Sequence, residues 1–406
     1  MALTKSMNGL NSLRDLKKVG FIVPSSNTAL EPITVSMGSQ VADRVSFHFS
    51  RVTVQTLDTD EKSVGQFNTD KMVASAVLLN DADLDAILWN GTSGSWSGRG
   101  LQADVTLSAE METATGLPSS TSTLAQIEVL EQYGVKRFSL AGPYVDGPTQ
   151  GLVNFYKGLG YDVVKTSQMN ERANVAFANT PLSRIKELIR EADSPEAECI
   201  VVACTNWPVA LVIDEMEAEI GKPIYDSICV TLWKALRMVN VKVPIHGWGR
   251  LLRDDPTLEK INVALARLLE SCSASRTTFR LDLPERNCHV DTVCAEACAP
   301  GIKQLKLDSS LNQRALGTVQ WIETSRQVLV QGDCKIAKVP PPKALMGVYG
   351  VKAQMLAPLH QGDHLTAWIS VHYVPSTREW KEQEIQALES TMEDVKKLLI
   401  EENWIS

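Results

Sequence analysis

Short apolar runs alternate with longer amphipathic stretches over the first 250 residues. The runs lack the apolar–polar alternation of half-exposed strands, so we expect strands buried on both faces. Strands separated by helices predict parallel βαβ units and an α/β fold. The predicted strands are Lys18–Val23, Val45–Val54, Ala86–Asn90, Phe138–Ala141, Cys199–Ala203 and Pro223–Tyr225. The predicted helices are one that opens near Leu30, then Asp70–Asn80, Glu110–Thr115 (closed at Gly116), Ser122–Tyr133, Pro181–Ala192, Val212–Ile220 and Val230–Val239.

The pattern changes after Arg250. An amphipathic helix, several strands of antiparallel character and a closing helix follow, which predicts a separate α+β domain. We place the boundary at residue 250, giving domains of residues 1–250 and 251–406. The predicted elements of the second domain are the helix Asp254–Ser271, the strands Arg276–Asp282, Ile302–Leu305, Arg326–Gln331, Ala353–His360 and His364–Tyr373, and a helix from about Lys381 to Glu401.

One strand-to-turn motif occurs twice in the first domain. The segment Ala86–Ser93 ends in glycine and two hydroxyl residues, whereas Cys199–Asn206 ends in cysteine, threonine and asparagine. A second pair of segments, Lys18–Ser25 and Arg137–Tyr144, is also similar. Two like α/β lobes are therefore expected. Ligands of such sheets bind outside the carboxyl ends of the strands, where all four turns lie.

Composition and charge narrow the function classes. A hydrophobic content of 44% supports full cores, and the net charge of −8 argues against a nucleic-acid partner, which clustered Lys and Arg would attract. No apolar stretch is long enough for a membrane helix, and the first residues do not resemble a secretory signal. The eight cysteines are expected to be reduced thiols. A cytoplasmic protein without a membrane partner is the expectation.

The turns carry one thiol and several hydroxyl groups. Cys204 is either a catalytic acid or a small buried hydrophobe. Its position between a strand and a helix predicts that the helix N-terminus favours the thiolate. Cys199 and Cys229 lie inside apolar segments and are expected in the core. The hydroxyls of Thr92, Ser93 and Tyr144 could stabilise charge on a reacting carboxylate, or could bond the backbone of their own turns.

Taken together, the turns resemble the aspartate/glutamate racemase superfamily, in its arylmalonate decarboxylase and maleate cis–trans isomerase branches. The loop Pro24–Thr28 and the turn Cys204–Asn206 are similar to the isomerases. Ala114–Pro118 and Tyr144–Asp146 are similar to the decarboxylase. Gly91 departs from the racemases and isomerases, which have a first cysteine there, and matches the decarboxylase. The resemblance covers about residues 18–245 and implies two pseudo-symmetric parallel-sheet lobes.

The resemblance implies a small carboxylic acid as substrate and no organic cofactor or metal. Its substrate-binding residues would be Pro24, Ser25, Asn27, Thr205 and Asn206. Its catalytic set would be Cys204, Gly91, Thr92, Ser93 and Tyr144, with Cys204 protonating an enediolate that hydroxyl and backbone donors hold.

The missing second thiol bears on the reaction. Racemisation by two bases is disfavoured because only one thiol is present. Decarboxylation of a malonate-type acid needs only one proton donor, so it is the favoured reaction. Maleate-type isomerisation with Cys204 as nucleophile stays open.

The second domain resembles a GAF domain in architecture. That resemblance implies a small ligand, and the family analogy implies a homo-oligomer. A ligand-sensing protein with a non-catalytic first domain is therefore a further alternative. Cys288, His289, Cys294 and Cys298 lack the paired Cys-x₂-Cys spacing of structural zinc sites, so no metal is expected there.

Overall fold

The structure is a computed structural model that describes residues 13–54, 65–66, 68–92, 94, 99–284, 288–306 and 311–405. The chain divides between Asp254 and Asp255 into two compact units. In the described part of the chain, no helix has both the length and the apolar character that a membrane crossing requires.

The first unit contains two four-stranded parallel sheets of the same topology. One sheet has the order β2-β1-β3-β4 and the other the order β6-β5-β7-β8. All pairings are parallel. The predicted lobe duplication is therefore confirmed. The strands are β1 (Lys17–Pro24), β2 (Val45–Val52), β3 (Ala86–Trp89), β4 (Ser119–Thr121), β5 (Arg137–Gly142), β6 (Asp162–Gln168), β7 (Cys199–Val202) and β8 (Ile224–Asp226).

Helices cover both sheets and complete one apolar core. The helices are α1 (Leu30–Gly38), α2 (Thr69–Asn80), α3 (Leu101–Thr115), α4 (Ser122–Gln132), α5 (Asp146–Gly158), α6 (Asn174–Ala178), α7 (Leu182–Ala192), α8 (Ile213–Ile220), α9 (Ser227–Met238) and α10 (Arg250–Arg253). Gly116 ends α3 with φ of 71°, the left-handed cap that the sequence predicted. The strands β3 and β7 are buried along their whole length, as their unbroken apolar runs indicated.

The second unit is one antiparallel sheet with helices. Its strand order is β10-β9-β13-β12-β11. The elements are α11 (Pro256–Ser271), β9 (Arg276–Leu281), β10 (Ala295–Cys298), α12 (Gly317–Ser325), β11 (Leu329–Gln331), α13 (Lys343–Gly347), β12 (Ala353–Gln361), β13 (His364–Tyr373) and α14 (Glu382–Glu401). One face of the sheet packs on α11 and α14 through a core that includes Phe279, Ile369 and Leu388.

Several sequence predictions were wrong or incomplete. Ile302–Leu305 is not a strand, and the strand that pairs with β9 is Ala295–Cys298 instead. Its small side chains give little apolar alternation, which is why the pattern did not reveal it. Glu110–Thr115 is the closing part of helix α3, as predicted, and the helix begins at Leu101. The sequence analysis gave no start for it because the first half of the helix is rich in polar residues. The sequence analysis also omitted the strands β4 and β6 and the helices α5, α6, α10, α12 and α13.

Candidate active site

The strand ends of both lobes converge on one small pocket of about 270 Å³. It lies where the topology of parallel sheets predicts a ligand site, because each lining segment follows the carboxyl end of a strand or ends it. The described residues that line it are Pro24, Asn27, Val54, Gly91, Thr92, Tyr144, Asn174, Cys204, Thr205 and Asn206. Of these residues, only Cys204 and Tyr144 carry ionisable side chains.

Cys204 lies two residues after β7 and is almost fully buried. Burial raises the pKa of its thiol to about 12. Hydrogen bonds with Tyr144 and with the backbone N–H groups of Asn206 and Trp207 act in the opposite direction but are outweighed. The expectation of a helix-stabilised thiolate was therefore wrong. The next α-helix, α8, begins only at Ile213, too far along the chain to place its N-terminal N–H groups at the sulfur.

The backbone carbonyl of Ala203 accepts hydrogen bonds from two of the predicted hydroxyl groups. Thr92 Oγ1 donates to it at 2.9 Å and the Tyr144 hydroxyl at 2.8 Å. Thr92 belongs to the first lobe and Tyr144 to the second. The Tyr144 ring is fixed by an edge-on contact with Phe177, with ring centroids 5.5 Å apart. Burial, together with the neighbouring Cys204, raises the Tyr144 pKa well above its usual value, so this hydroxyl stays protonated.

Two asparagines join the lobes beside the pocket. Asn27 Nδ2 donates to the carbonyl of Thr205 at 3.0 Å, and its Oδ1 accepts from the N–H groups of Ala29 and Leu30. Asn206 Oδ1 accepts from the N–H groups of Thr28 and Ala29. Its Nδ2 donates to the carbonyl of Asn174 at 2.6 Å. These amides therefore set the shape of the pocket as well as lining it.

Gly91 is packed against the indole ring of Trp89. A β-carbon at position 91 would lie 2.5 Å from Trp89 Cζ2 and 2.8 Å from Cε2, both closer than real contacts allow. Trp89 itself is buried at the end of β3. The space that a side chain at position 91 would need is thus occupied by an aromatic ring. Glycine at this position is a packing requirement of the present structure.

The remaining predicted residues have mixed outcomes. Pro24 and Thr205 line the pocket. Ser25 does not; its Oγ donates to the carbonyl of Val54 at 3.3 Å and accepts from the N–H of Val54 at 3.1 Å, so it fixes the loop after β2. Ser93 lies outside the described residues. Cys199 and Cys229 are buried in the core, as predicted.

Sequence reasoning missed two lining residues, Val54 and Asn174. Asn174 Nδ2 donates to Ser26 Oγ at 2.7 Å, while its Oδ1 has no hydrogen-bond partner among the described residues. Both residues follow strand ends of their sheets. The duplication could have revealed Asn174, because β6 corresponds to β2 in the lobe topology and the loop after it therefore reaches the same edge.

A buried carboxyl group lies in the strand next to Cys204. Asp226 ends β8 and pairs in register with Val202 of β7. Its Oδ2 accepts from the N–H groups of Ile228 and Cys229 and so caps helix α9. Burial raises the pKa of Asp226 to about 7. Its charge in turn raises the pKa of Cys204, which helps keep that thiol protonated.

The pocket therefore combines one protonated thiol with a small number of neutral donors. Backbone N–H groups at Asn206 and Trp207 lie within hydrogen-bonding reach of the sulfur and would stabilise a thiolate once a proton has left. Among the residues that the structure describes, no group of three or more His, Cys, Asp or Glu is placed to hold a metal ion.

Two like parallel-sheet lobes with a cysteine pocket at their strand ends define a racemase-like α/β protein. The sequence model of the arylmalonate decarboxylase family matches residues 19–252. Since that match covers more than half of the chain, the protein belongs to this family. A GAF domain model matches residues 256–396, in the unit that carries the antiparallel sheet.

Individual relatives fall into two activities. A maleate isomerase of Pseudomonas putida is 25% identical over 250 residues, 59% of this chain and 98% of its own length. An arylmalonate decarboxylase of Bordetella bronchiseptica is 27% identical over 164 residues, 40% of this chain and 68% of its own length. A crystal structure of a maleate isomerase from Pseudomonas putida S16 with maleate is 25% identical with a TM-score of 0.53, covering 58% of this chain and 97% of that one.

Proposed function

We propose that the protein is a cofactor-independent decarboxylase of a malonate-type or related activated dicarboxylic acid, with Cys204 as the proton donor. The observation that carries the proposal is that Cys204 supplies the one thiol of the described pocket lining, while a cysteine at Gly91 in the same lining would clash with Trp89. Decarboxylation needs one proton for the new C–H bond and no base, so a single thiol is sufficient.

In the proposed reaction, the bond between the α-carbon and one carboxylate breaks and CO₂ leaves. The electron pair stays on the α-carbon and spreads over the remaining carboxylate as an enediolate. The Cys204 thiol then delivers its proton to that carbon, and the thiolate recovers a proton from water. Hydroxyl and backbone donors around the pocket stabilise the developing charge, each by about 3–4 kcal/mol where the geometry is good.

The side chains give each step a physical basis. The raised pKa of Cys204 keeps the proton on sulfur until a strongly basic carbon forms beside it. The hydroxyls of Thr92 and Tyr144 already converge on the carbonyl that precedes Cys204 and could turn toward substrate oxygens. Apolar Pro24 and Val54 in the lining disfavour a charged carboxylate and so favour its loss as neutral CO₂.

Maleate-type isomerisation is the second candidate, since maleate isomerases are among the relatives and Asn27 and Asn206 line the pocket as the isomerase resemblance implies. In that reaction a Cys204 thiolate adds to the double bond, the C–C bond rotates, and the thiolate is eliminated. It requires the deprotonated form of a thiol whose pKa is raised, which favours the decarboxylase.

The test is to incubate the full chain with methyl(phenyl)malonate and, separately, with maleate. CO₂ from the malonate without fumarate from maleate is the expected result. Fumarate formation would overturn the proposal in favour of isomerisation. Turnover of neither compound, in a protein that melts cooperatively, would favour a non-catalytic, ligand-sensing first unit.

A further inference from the structure

Two cysteines of the second unit lie side by side in its core. Cys288 is 5% exposed and Cys294 is 7% exposed, and both belong to the apolar cluster between the sheet and the helices α11 and α14. Their thiols are hydrogen-bonded to each other. A buried cysteine is usually an inert small hydrophobe, so a direct contact between two thiols distinguishes this pair.

The backbone holds both cysteines along one partner segment. Cys288 forms an antiparallel bridge with Leu283, in which the N–H of each residue donates to the carbonyl of the other, at 3.1 and 3.0 Å. The N–H of Cys294 donates to the carbonyl of Phe279 at 2.9 Å, directly before β10 pairs with β9. Leu283 follows the end of β9 by two residues. Both cysteines are therefore fixed along the same edge of one continuous stretch of chain.

A short turn connects the two cysteines. The loop between them has five residues, 289–293. Within it, the N–H and the hydroxyl of Thr292 both donate to the carbonyl of His289 at 2.9 Å. Because the loop is anchored at both ends and turns in the middle, it keeps the two thiols in contact. A bond between the sulfurs would link neighbours on one hairpin rather than distant parts of the chain.

Hydrogen bonding and nearby charge favour the thiolate of Cys294. The thiol of Cys288 donates to its sulfur, and this hydrogen bond contributes most to lowering the pKa of Cys294 below the usual 9.0. The N–H of Leu281 and the positive charges of Arg280 and Lys306 act in the same direction, and together these effects outweigh burial. Thiolate is the nucleophilic form of cysteine, so Cys294 is suited to attack an electrophile.

Other cysteines of the described chain have the opposite character. Burial raises the thiol pKa of six of them, which are Cys199, Cys204, Cys229, Cys272, Cys298 and Cys334. Cys298 is the informative comparison, because it ends the strand that follows Cys294 and is more exposed than either member of the pair. Exposure alone therefore does not select the more reactive thiol of this hairpin.

We infer that Cys288 and Cys294 are a modification site, at which a peroxide oxidises the two thiols to a reversible disulfide, with Cys294 oxidised first. The geometry that carries the inference is the direct contact between two thiols on an anchored hairpin. The inference does not depend on the reaction proposed for the Cys204 pocket.

The proposed oxidation has two steps. The Cys294 thiolate attacks one oxygen of hydrogen peroxide, the O–O bond breaks, and hydroxide leaves and takes up a proton to become water. Cys294 is then a sulfenic acid. In the second step the sulfur of Cys288 attacks the sulfur of Cys294, and the displaced hydroxyl group leaves with the Cys288 proton as a second water molecule. The peroxide is reduced to water, and the two thiols are oxidised to one disulfide.

Peptide mass spectrometry of the full chain after treatment with hydrogen peroxide tests the inference. Cleavage before Asp291 separates the two cysteines, so their disulfide is detected as a linked pair of peptides. We expect this pair to form in the folded protein before any other cysteine is oxidised, and dithiothreitol to restore both thiols. Failure of the linked pair to form in the folded chain, or its formation only after unfolding in urea, would overturn the inference.

Three serine variants test the order of the steps. In Cys288→Ser the sulfenic acid at Cys294 has no thiol to react with, so dimedone should label position 294. In Cys294→Ser the rate of oxidation of Cys288 should fall by about tenfold or more. Cys298→Ser is the matched control and should form the disulfide as the parent chain does. Oxidation of Cys288 at the same rate with and without Cys294 would overturn the assignment of Cys294 as the first thiol to react.

The parent-chain experiment does not depend on the folding of a variant. Serine is close to cysteine in size, and the melting temperature of each variant shows whether its core is intact. A linked pair in the parent chain, together with its absence in a folded Cys288→Ser protein, is the expected result. Persistence of peroxide-induced cross-linking from Cys294 to another cysteine in that variant would overturn the pairing.

Discussion

At the scale of single residues, the decisive feature is a thiol kept in its protonated form. Burial of Cys204 outweighs the hydrogen bonds that favour thiolate. A thiol with so high a pKa stays protonated at neutral pH and gives its proton only to a strongly basic carbon. In the proposed function, this protonated form suits the proton donor of a decarboxylation better than the nucleophile of an isomerisation.

The rate of decarboxylation is expected to stay level from pH 7 to pH 10. The required form of Cys204 is the thiol, and a pKa raised to about 12 keeps it populated beyond the usual cysteine value of 9.0. The measurement is kcat for methyl(phenyl)malonate across this range. A rate that climbs about tenfold per pH unit would identify thiolate as the active form and contradict the assignment.

A second test of the proton donor is Cys204→Ser, which keeps a side chain of similar size and removes the thiol. Its kcat should fall by about 10²–10⁴-fold, the usual contribution of a positioned general acid. Its melting temperature should stay close to that of the parent. Near-normal activity would remove Cys204 from the mechanism.

Introducing a thiol at position 91 should destabilise the protein rather than simply add a second catalytic group. Gly91→Cys forces a β-carbon into the Trp89 ring, which should lower the free energy of unfolding by about 1–3 kcal/mol. Because Trp89→Leu frees that space, the double variant should lose less stability than the sum of the two single losses.

Denaturant unfolding of the parent, the two single variants and the double variant measures this coupling between positions 89 and 91. Gly158→Cys serves as the control, since outside its chain neighbours and its own helix backbone no heavy atom of the described residues lies within 4 Å of a β-carbon there. Additive losses for Gly91→Cys and Trp89→Leu would show that the ring moves away freely.

Most lining residues could be predicted from the sequence, because the duplicated turns mark the strand ends. Cys204 and Tyr144 were found in this way. The protonation state of Cys204 could not, since it depends on three-dimensional burial. The contact between Trp89 and Gly91 was equally hidden, because the pattern shows a buried aromatic but not the direction of its ring.

At the scale of elements, the junction of β8 and α9 combines a helix cap with a buried carboxyl group. Asp226 accepts two N–H groups of the first turn of α9. Its other oxygen, Oδ1, has no hydrogen-bond partner in the part of the chain that the structure describes. The cap stabilises the helix, whereas the buried charge costs free energy when the group ionises.

Asp226→Asn should change the pH dependence of stability. The folded pKa of Asp226 is raised to about 7 from a usual value of 3.8, so the folded state holds a proton that the unfolded state loses first. Its contribution to stability is therefore lost as pH rises from about 4 to about 7. An asparagine oxygen can accept the same N–H bonds without titrating, so the variant should lose less stability over this range.

Urea unfolding of the parent and Asp226→Asn proteins at pH 5 and pH 7.5 measures the difference. Asp81→Asn, at an exposed position after α2, is the control. The same pH dependence in the parent and Asp226→Asn would mean that Asp226 does not titrate in this range.

The existence of most elements followed from apolar periodicity, and the errors have identifiable causes. The strand Ala295–Cys298 was missed because it has small and charged residues and no apolar alternation. It forms a strand because it pairs with β9, a contact that its own sequence does not indicate. The strand β6 is mostly exposed or half-buried at the edge of its sheet, so it lacks the apolar run of its neighbours.

At the scale of the whole molecule, each unit has cores of its own. The large apolar cluster of the first unit draws its buried residues from Val19 to Leu252. The clusters of the second draw theirs from Ile261 to Ile405. Such units are expected to fold independently.

A chain ending at Asp254 should therefore be soluble and melt in one cooperative transition, and it should keep the proposed decarboxylase activity within about threefold of the full chain. Calorimetry and the CO₂ assay test this. Aggregation of the shortened chain, or loss of turnover in a folded one, would show that the second unit is needed for the first. The matching fragment from Asp255 is the control for the second transition of the full protein.

The acceptor shared by Thr92 and Tyr144 is a peptide carbonyl rather than a side chain. Mutation at position 203 changes the side chain but cannot delete that oxygen. Substitution at position 203 therefore leaves the acceptor of both hydrogen bonds in place, as long as the backbone keeps its path. Evolution can retune the chemistry around the sulfur while this junction between the halves persists.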